Sequence, residues 1–389
     1  MDADGLRNAL AQFFCLKDIF LNFNSFSFHP QISSGISAAG YSTPTPIQIR
    51  TIPPILAGRD VMGLAQTGTG KTAAFVLPIL QSLLNGPRGR LRALILSPTR
   101  ELAEQTNSAI NDLGRKTNLR SLTIYGGVNA RPQISGLKAG AEIAVACPGR
   151  LLDLMGQQAV NLRNVEILVL DEADQMFDMG FLPAIRRILA SLPNSRQTLL
   201  FSATMPKEIR ALANDFLRNP VAVELGVSEP LETVTHAIYP VEQTEKVELL
   251  LGLLRKSGNG QVLVFTRTKY RAKKLAGQLI KAGLPATSLQ GNLSQNQRQV
   301  AMNNFRSGRV KILVATDIAA RGIDVSQISH VINYDMPNTA DAYIHRIGRT
   351  GRMTHLGSAL SLTTQEDLPI IRIIERFLGY SLERRELTA

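Results

Sequence analysis

Residues 167–181 read ILVLDEADQMFDMGF, an apolar run that ends abruptly in carboxylates. Asp171, Glu172 and Asp174 come directly after it, and Asp178 lies one helical turn further on. One acid at the end of a strand is common, but the whole chain has a formal net charge of +12. Carboxylate oxygens are preferred ligands of hard divalent cations. The cluster therefore indicates a site for a divalent cation. Asp178 is predicted to lie at the exposed start of a helix and to have no chemical role.

A glycine-rich loop, AQTGTGKT, occupies residues 65–72 between the apolar run DVMGL and a helical pattern. Backbone N–H groups near Gly68 and Gly70 can surround a phosphate at the start of the helix. Lys71 supplies a charge for the β- and γ-phosphates, and the Thr72 hydroxyl can ligate Mg²⁺. Ala65 stands where the usual pattern begins with glycine. The candidate ATP-binding residues of this loop are Ala65, Gln66, Thr67, Gly68, Thr69, Gly70, Lys71 and Thr72.

A phosphate loop in the same domain gives the acidic cluster a function. Asp171, with Thr72, is the predicted ligand of the Mg²⁺ that accompanies the phosphates. Glu172 is placed to orient a water for in-line attack on the γ-phosphate. A solvated acidic strand end is the alternative, but it does not require a phosphate loop nearby. The pair of motifs predicts nucleotide hydrolysis.

The elements that carry these loops follow a regular order. From about residue 60, continuously apolar runs alternate with helical segments, as expected for parallel strands covered on both faces. The rhythm stops at the polar stretch ELGVSEPLET and then restarts. The order predicts an α/β fold of two doubly wound parallel-sheet domains joined by a short linker. The predicted parts are an N-terminal extension (1–22), an ATP-binding domain (23–224), a linker (225–233), a second domain (234–380) and a short tail (381–389).

Composition excludes several classes of protein. Apolar residues make up 44% of the 389 residues and charged residues 19%, which is typical of globular proteins rather than disordered ones. The apolar stretch at 13–23 is too short to span a bilayer, so no membrane partner is expected. Two cysteines are too few for a disulfide framework and fit the reducing cytoplasm. A pI near 9.9 favours a polyanionic partner such as nucleic acid, although solubility alone is an equally good explanation.

At Asp171–Asp174 the sequence reads DEAD, and the ordered motifs around it extend over about residues 23–380. They include GYSTPTPIQ (40–48), AQTGTGKT, SAT (202–204) and HRIGRTGR (345–352). In these ordered motifs the chain resembles the DEAD-box ATP-dependent RNA helicases of superfamily 2, and most closely their bacterial RhlE-like branch. The resemblance implies two tandem RecA-like domains.

The resemblance also implies roles at the nucleotide site. Gln48 reads the adenine edge and Phe23 stacks on the base, although Gln48 by itself is only a helix-start residue. Ser202 and Thr204, with Asp174, couple hydrolysis to unwinding. Arg349 and Arg352 act as arginine fingers, and His345 links to the acidic motif. An isolated arginine run is more often a solvated basic face. Asp324 contacts the ribose of ATP, and Arg321 supports the interdomain arrangement.

An RNA path is implied by loops that mix hydroxyls, glycines and arginines, groups that bind phosphates and sugars without reading bases. Taken singly, each loop is more often a simple turn. The implied RNA-binding residues are Thr99, Arg100, Gly127, Gly149, Arg150, Arg267, Gly291 and Thr316. Two positions depart from the family pattern. Cys147 replaces a threonine, which costs at most about 1 kcal/mol of RNA contact, and Gln290 replaces a histidine with little expected effect.

The expected function is that of a cytoplasmic, monomeric ATP-dependent RNA helicase that uses ATP and Mg²⁺. RNA-stimulated hydrolysis would drive local, sequence-independent separation of short duplexes, and proteins of ribosome assembly or RNA decay are compatible partners. One alternative is an ATP-dependent RNA clamp or annealing scaffold with little unwinding. A second is a DNA-directed helicase or another ATPase with a phosphate loop. The sequence leaves the physiological RNA open.

Overall fold

The computed structural model describes residues 22–66, 68–225, 234–258, 260–320, 328–351 and 357–386, apart from the side chains of residues 295, 318 and 341. The chain divides into two compact units, 1–227 and 228–389. Residues 1–21 of the expected N-terminal extension, and all of the expected linker except Leu225, lie outside the described residues. The more detailed domain limits drawn from the sequence stay predictions.

The first unit contains a parallel seven-stranded sheet with the strand order β3-β4-β2-β5-β6-β1-β7. Its strands are β1 (Val61–Leu64), β2 (Ala93–Leu96), β3 (Ser121–Ile124), β4 (Ile143–Ala146), β5 (Ile167–Leu170), β6 (Gln197–Ser202) and β7 (Val221–Glu224). A 3₁₀ turn at Phe23–Phe26 precedes the helices. These are α1 (Pro30–Ala38), α2 (Pro46–Leu56), α3 (Lys71–Leu84), α4 (Arg100–Leu113), α5 (Arg131–Lys138), α6 (Pro148–Gly156), α7 (Ala173–Asp178), α8 (Leu182–Leu189) and α9 (Lys207–Phe216).

Burial on both faces explains why strands β2, β4 and β5 of this sheet are apolar throughout. In β5, Ile167 and Val169 pack into one hydrophobic cluster, whereas Leu168 and Leu170 pack into the other. Successive side chains of a strand point to opposite faces, so helices on both sides of the sheet demand an apolar residue at every position. The continuous apolar runs of the sequence are the direct result.

The second unit repeats this design with the strand order β10-β11-β9-β12-β13-β8-β14. Its strands are β8 (Val234–Pro240), β9 (Gln261–Phe265), β10 (Ala286–Leu289), β11 (Ile312–Ala315), β12 (Ile328–Asn333), β13 (Gly357–Thr363) and β14 (Glu383–Arg384). Its helices are α10 (Lys246–Lys256), α11 (Lys269–Lys281), α12 (Gln295–Arg306), α13 (Asp317–Ala320), α14 (Ala340–Ile347) and α15 (Leu368–Leu378). A 3₁₀ turn at Gln365–Asp367 precedes α15.

The predicted fold class is confirmed: each unit is a parallel sheet flanked by helices, and every apolar run assigned to a strand contains one. Only the two-residue strand β14, which pairs with β8 at the sheet edge, was not predicted. Among the described residues, no helix combines the length and the apolar character that crossing a membrane requires.

Candidate functional site

Three neighbouring strands of the first unit deliver the predicted catalytic motifs to one edge of the sheet. β6 lies between β5 and β1. The phosphate loop follows β1, Ser202 ends β6, and Asp171 follows β5. The Ala65 amide donates to the Ser202 carbonyl at 3.0 Å, so the loop and the SAT segment are joined where they leave the sheet. This is the edge at which open parallel sheets bind ligands.

The phosphate loop is held open by two glycines with left-handed backbone conformations. Gly68 has φ 88° and Gly70 has φ 91°, values that glycine adopts without steric cost. The buried Lys71 ammonium donates to the Ala65 carbonyl at 2.6 Å and so lies inside the curve of the loop. The Thr69 hydroxyl closes the turn on the Gln66 carbonyl at 2.7 Å. Thr67 lies outside the described residues.

Gln48 is linked directly to the phosphate loop. Its Nε2 donates to the Gly70 carbonyl at 3.1 Å, and its Oε1 accepts the Thr45 amide at 2.9 Å. A Cβ atom added to Gly70 would come within 2.6 Å of Gln48 Nε2, so this close approach also requires glycine. Only 1% of the Gln48 residue is exposed. The side chain is thus a structural part of the nucleotide site, and its role in reading adenine stays a prediction.

Phe23 lies in an aromatic cluster. Its ring is 6.0 Å from that of Phe26 and 5.9 Å from that of Tyr41, edge to face in the second case. Phe23 is buried, whereas Tyr41 is 40% exposed. The cluster fixes the segment that precedes α1. The predicted stacking of Phe23 on a base stays a prediction.

Asp171 and Glu172 are both buried. Burial, reinforced by the Glu172 carboxylate, raises the pKa of Asp171 to about 7, and Lys71 opposes this rise. Glu172 adopts φ 50° and ψ 55°, a left-handed conformation that is costly for a residue with a side chain. Such strain persists only where the surrounding structure enforces it, and it clusters at functional sites. The turn directs the chain from β5 into α7.

The chemistry of these residues fits a divalent cation. A buried carboxylate with a raised pKa gains most from a nearby positive charge, which would favour its ionised form. Asp171, and Thr72 in the first turn of α3, are the residues that the sequence predicts to hold Mg²⁺, and this role stays a prediction. No group of three or more His, Cys, Asp or Glu side chains suited to a metal occurs in the described ranges.

Asp174 connects the acidic motif to the SAT segment. Its Oδ2 accepts the amide and the hydroxyl of Thr204 at 2.8 and 3.0 Å, and the Ala203 amide at 3.2 Å. The Ser202 hydroxyl accepts the Asp174 amide at 3.2 Å. The predicted coupling residues of the first unit therefore form one hydrogen-bonded group. The expectation for Asp178 was wrong: it is exposed, but it ends α7 instead of beginning a helix.

The predicted RNA residues of the first unit converge on the loop after β3. The Arg100 guanidinium lies 5.9 Å from the centre of the Tyr125 ring, and a Cβ on Gly127 would come within 2.0 Å of that guanidinium. Gly127 also has φ 75°. Arg150 donates to the Val128 carbonyl at 3.1 Å. The resemblance implied that these residues share an RNA path, and the structure brings Arg100, Gly127 and Arg150 to one loop; their contact with RNA stays a prediction.

The other predicted RNA residues of this unit begin helices. Thr99 caps α4 by accepting the Leu102 amide at 3.3 Å, and Gly149 lies in the first turn of α6. Cys147 precedes α6 without a side-chain capping bond. Burial raises the pKa of its thiol to about 12, so the thiol stays protonated at neutral pH. The substitution therefore leaves the start of α6 without the hydroxyl that a threonine would provide.

Arg267, Gly291 and Thr316 follow β9, β10 and β11, which are adjacent strands of the second sheet. Asp335 holds the first of these loops, because its Oδ2 accepts the Arg267 amide at 2.8 Å and its Oδ1 pairs with Arg271. Gln290, the second departure from the family pattern, is buried, and its Oε1 accepts the Asn292 amide at 2.7 Å. The substituted side chain thus has a structural role in its own turn.

Arg346 is a residue whose importance the sequence did not reveal. Its guanidinium pairs with both carboxylate oxygens of Asp317 and donates to Asn333 Oδ1 at 3.0 Å and to the Asp335 carbonyl at 2.7 Å. Arg349 follows α14 and is buried, and His345 lies in the last turn of that helix. Arg321, Asp324 and Arg352 lie outside the described residues.

Comparison with known proteins assigns these motifs to a family. A DEAD/DEAH box helicase model matches residues 45–212, and a helicase conserved C-terminal domain model matches residues 245–354. RNA helicase CrhR of Synechocystis is 43% identical over 346 residues, 88% of this chain and 70% of that protein. The ATP-dependent RNA helicase CshA of Limosilactobacillus reuteri is 42% identical over 357 residues, 92% of this chain and 72% of that protein.

Solved structures show the same likeness. Dbp5 of S. cerevisiae bound to RNA and ADP BeF3 has a TM-score of 0.84 and 32% identity, with 94% of this chain and 96% of that chain covered. Mss116p bound to ssRNA and AMP-PNP has a TM-score of 0.85 and 27% identity, with 96% of this chain and 80% of that chain covered.

Proposed function

Because this chain belongs to the DEAD-box family of ATP-dependent RNA helicases, we propose that it couples RNA-stimulated ATP hydrolysis to local separation of short RNA duplexes. The chain is an ATP-hydrolysing RNA helicase. Local and sequence-independent unwinding, and membership of the RhlE-like branch, are the proposed refinements.

The hydrogen-bonded group around Asp174 is the observation that carries the proposal. Asp174 lies two residues beyond Glu172, and its carboxylate is bonded to the SAT segment at the end of the neighbouring strand. In the proposed mechanism, a displacement at the hydrolytic residues passes to the SAT segment through these part-buried hydrogen bonds.

The predicted site residues of the first unit each have a task in the proposed hydrolysis. The loop amides and Lys71 bind the phosphates of ATP. Asp171 and Thr72 would hold Mg²⁺, which neutralises charge on the phosphate oxygens. Glu172 orients the attacking water. From the second unit, Arg349 and Arg352 are proposed to stabilise charge on the γ-phosphate, a contribution of roughly 10³–10⁵ in rate in related reactions.

The proposed RNA path uses groups suited to the backbone of RNA. Arg100, Arg150 and Arg267 supply charge for phosphates, and Thr99 and Thr316 supply hydroxyls. Contacts of this kind position a strand without reading its bases, and contacts to ribose hydroxyls distinguish RNA from DNA. We further propose that the protein acts as a cytoplasmic monomer and that its protein partners belong to ribosome assembly or RNA decay.

The test is steady-state ATP hydrolysis without nucleic acid, with single-stranded RNA and with DNA of the same sequence. We expect strong stimulation by RNA alone and its loss in Glu172→Gln, which removes the carboxylate that orients water. Glu366→Gln, at an exposed position of the second unit, is the matched control. A fluorescent duplex assay on the same preparations then measures strand separation.

Each result of these assays has a clear meaning. Equal stimulation by DNA would overturn selection for RNA. Tight ATP-dependent RNA binding with negligible turnover would instead identify a clamp or annealing scaffold. Turnover without strand separation would show that hydrolysis is not coupled to unwinding.

A further inference from the structure

Helix α11 in the second unit carries an unusually one-sided charge. Its sequence, KYRAKKLAGQLIK, contains five cations and no acid. Ala272, Leu275, Ala276 and Leu279 form its buried face. The opposite face exposes Tyr270, Lys273, Lys274 and Lys281. We define these four residues as the α11 stripe.

The cations of the α11 stripe are not neutralised by neighbouring acids. Arg271 pairs with Asp335, but no ion pair is formed by Lys273 or Lys274 among the residues that the structure describes. Nearby lysines repel one another and gain nothing for folding. A surface that serves solubility alone is better built from mixed charges. The concentration of positive charge therefore indicates a polyanionic partner.

Tyr270 makes a solvated basic face a poor explanation of the stripe. The residue is 70% exposed, and the Lys269 ammonium lies 5.3 Å from the centre of its ring. An exposed aromatic ring among cations provides both groups that single-stranded nucleic acid uses, a surface for base stacking and charges for phosphates.

The position of α11 identifies the polyanion. α11 follows β9 directly, so its first turn lies at the carboxyl edge of the sheet and begins two residues after Arg267. The loops after β9, β10 and β11 carry the RNA residues proposed for this unit, and α11 packs against β10 and β11. Lys273 and Lys274 are one turn further along α11. A strand bound at those three loops can therefore continue onto the stripe without leaving this unit.

We propose that the amino-terminal half of the α11 stripe, Tyr270, Lys273 and Lys274, extends the RNA path beyond the loops at the sheet edge. The two lysines contact phosphates outside the nucleotides held by Arg267, Gly291 and Thr316, and Tyr270 stacks on a base. This inference rests on the proposed function. It predicts that the length of bound RNA, and not only its presence, determines affinity.

The chain offers well-matched controls for this idea. Lys281 lies on the same face of α11 but about 12 Å beyond Lys273, at 1.5 Å per residue, toward the opposite edge of the sheet. Arg255 and Lys256 end α10 at that opposite edge, because α10 leads into the start of β9. Lys281→Gln and the double variant Arg255→Gln/Lys256→Gln remove comparable charges outside the proposed path.

The experiment measures affinity for two oligouridylates in the presence of a non-hydrolysable ATP analogue. One is the shortest that the wild type binds, and the other is much longer. For Lys273→Gln/Lys274→Gln we expect unchanged affinity for the short RNA. Each phosphate contact contributes about 0.7 to the slope of log affinity against log salt concentration for a single strand. The loss of two contacts should therefore reduce this slope for the long RNA by about 1.4, which corresponds to a roughly 25-fold lower affinity at 0.1 M salt. Tyr270→Ala should weaken long-RNA binding about five-fold or more at every salt concentration.

Three results would be decisive against the extension. If the Lys273, Lys274 and Tyr270 variants bound the long RNA as tightly as the control variants, the stripe would be a solvated or protein-binding face. Equal losses for short and long RNA would place the lysines inside the existing path or reveal a folding defect, which circular dichroism would detect. A wild type without ATP-dependent RNA binding would instead refute the proposed function, before any variant is compared.

Discussion

Asp174 Oδ2 accepts hydrogen bonds from both the backbone amide and the hydroxyl of Thr204, at 2.8 and 3.0 Å. The two residues are thirty positions apart: Asp174 lies in the first turn of α7, after β5, and Thr204 follows the adjacent strand β6. Asp174 is buried, whereas Thr204 is half-buried, so the carboxylate end of both bonds is shielded from solvent. This pair joins the hydrolytic residues to the segment expected to drive unwinding.

Thr204→Val removes the hydroxyl donor and leaves the two backbone donors in place. A hydrogen bond to a charged group contributes about 1.5–3 kcal/mol, enough to change a coupling equilibrium ten-fold or more. We expect ATP hydrolysis to stay within a few-fold of the wild type while strand separation per ATP falls at least about ten-fold. Both rates are measured on one preparation.

Thr117→Val is the control for this variant. The buried Thr117 hydroxyl donates to the Gly114 carbonyl at 2.6 Å, beyond the carboxyl end of α4 and away from the motifs, so the change again removes one hydroxyl donor. If the two variants lost hydrolysis and unwinding in the same proportion, Asp174 would be a folding residue rather than a coupling residue.

Gly127→Ala should weaken RNA binding selectively. The added Cβ would come within 2.0 Å of the Arg100 guanidinium, and the φ of 75° is unfavourable for alanine. Arg100 must move away from the proposed path, so RNA affinity should fall about ten-fold, as expected when a charged contact worth about 1.5 kcal/mol is lost. Nucleotide affinity should not change.

Gly126→Ala provides the comparison, since its Cβ would meet nothing within 4 Å. Fluorescence anisotropy with labelled RNA and titration with nucleotide separate the two effects. An equal loss of RNA affinity in both variants would show that the loop, and not the position of Arg100, limits binding.

The fold could be predicted from the sequence because parallel strands covered on both faces leave continuous apolar runs. The sequence also predicted that the phosphate loop and the acidic run act together, and the structure places both at the carboxyl edge of one sheet, after β1 and β5. Strand β14 escaped prediction because Glu383 and Arg384 are exposed at the sheet edge, where no burial pattern is imposed. Asp178 was misplaced because α7 begins earlier, at Ala173, and is only six residues long.

The polar contacts of the site could not be predicted in the same way. Gln48 meets Gly70, 22 residues away, and Arg346 meets Asp317, 29 residues away. Hydrogen bonds between distant polar side chains leave no periodic signal, and their geometry depends on how the sheet folds. Asp335 illustrates the limit, since the sequence shows only an acid after an apolar run, whereas the structure shows that it holds Arg267.

Gln48→Glu should lower nucleotide affinity. The substitution removes the amide donor to the Gly70 carbonyl and places a carboxylate against that oxygen and close to the phosphate loop. Losing one hydrogen bond and adding repulsion between like charges predicts a decrease of about 1.5–3 kcal/mol, or roughly ten- to hundred-fold. Calorimetric titration with ADP measures it directly.

Gln197→Glu tests whether this effect is specific. Gln197 Nε2 donates to the Ile55 and Arg59 carbonyls at 2.9 and 2.7 Å, so the same change breaks similar bonds far from the phosphate loop. Both variants should be less stable, but only Gln48→Glu should bind ADP more weakly. Equal affinities in the two variants would refute a direct role for Gln48.

The stability of the second unit should fall in mild acid because of His236. Burial lowers the pKa of His236 from 6.5 to about 4, and its Nδ1 lies 3.1 Å from the Tyr343 hydroxyl. Between pH 6.5 and pH 4 the unfolded chain binds a proton that the folded chain does not, so acid favours unfolding. The contribution of this histidine is fully present above pH 6.5 and decreases as the pH falls toward 4. At pH 5 the expected loss is about 2 kcal/mol.

His236→Gln isolates this effect, because glutamine can keep a hydrogen bond to Tyr343 but does not titrate. Urea unfolding followed by circular dichroism, in a chain without tryptophan, gives the free energy of unfolding at each pH. The variant curve should be flatter than the wild-type curve between pH 7 and pH 5. Parallel curves for the two proteins would mean that His236 binds its proton equally well in the folded and unfolded states, and that its burial does not oppose the charge.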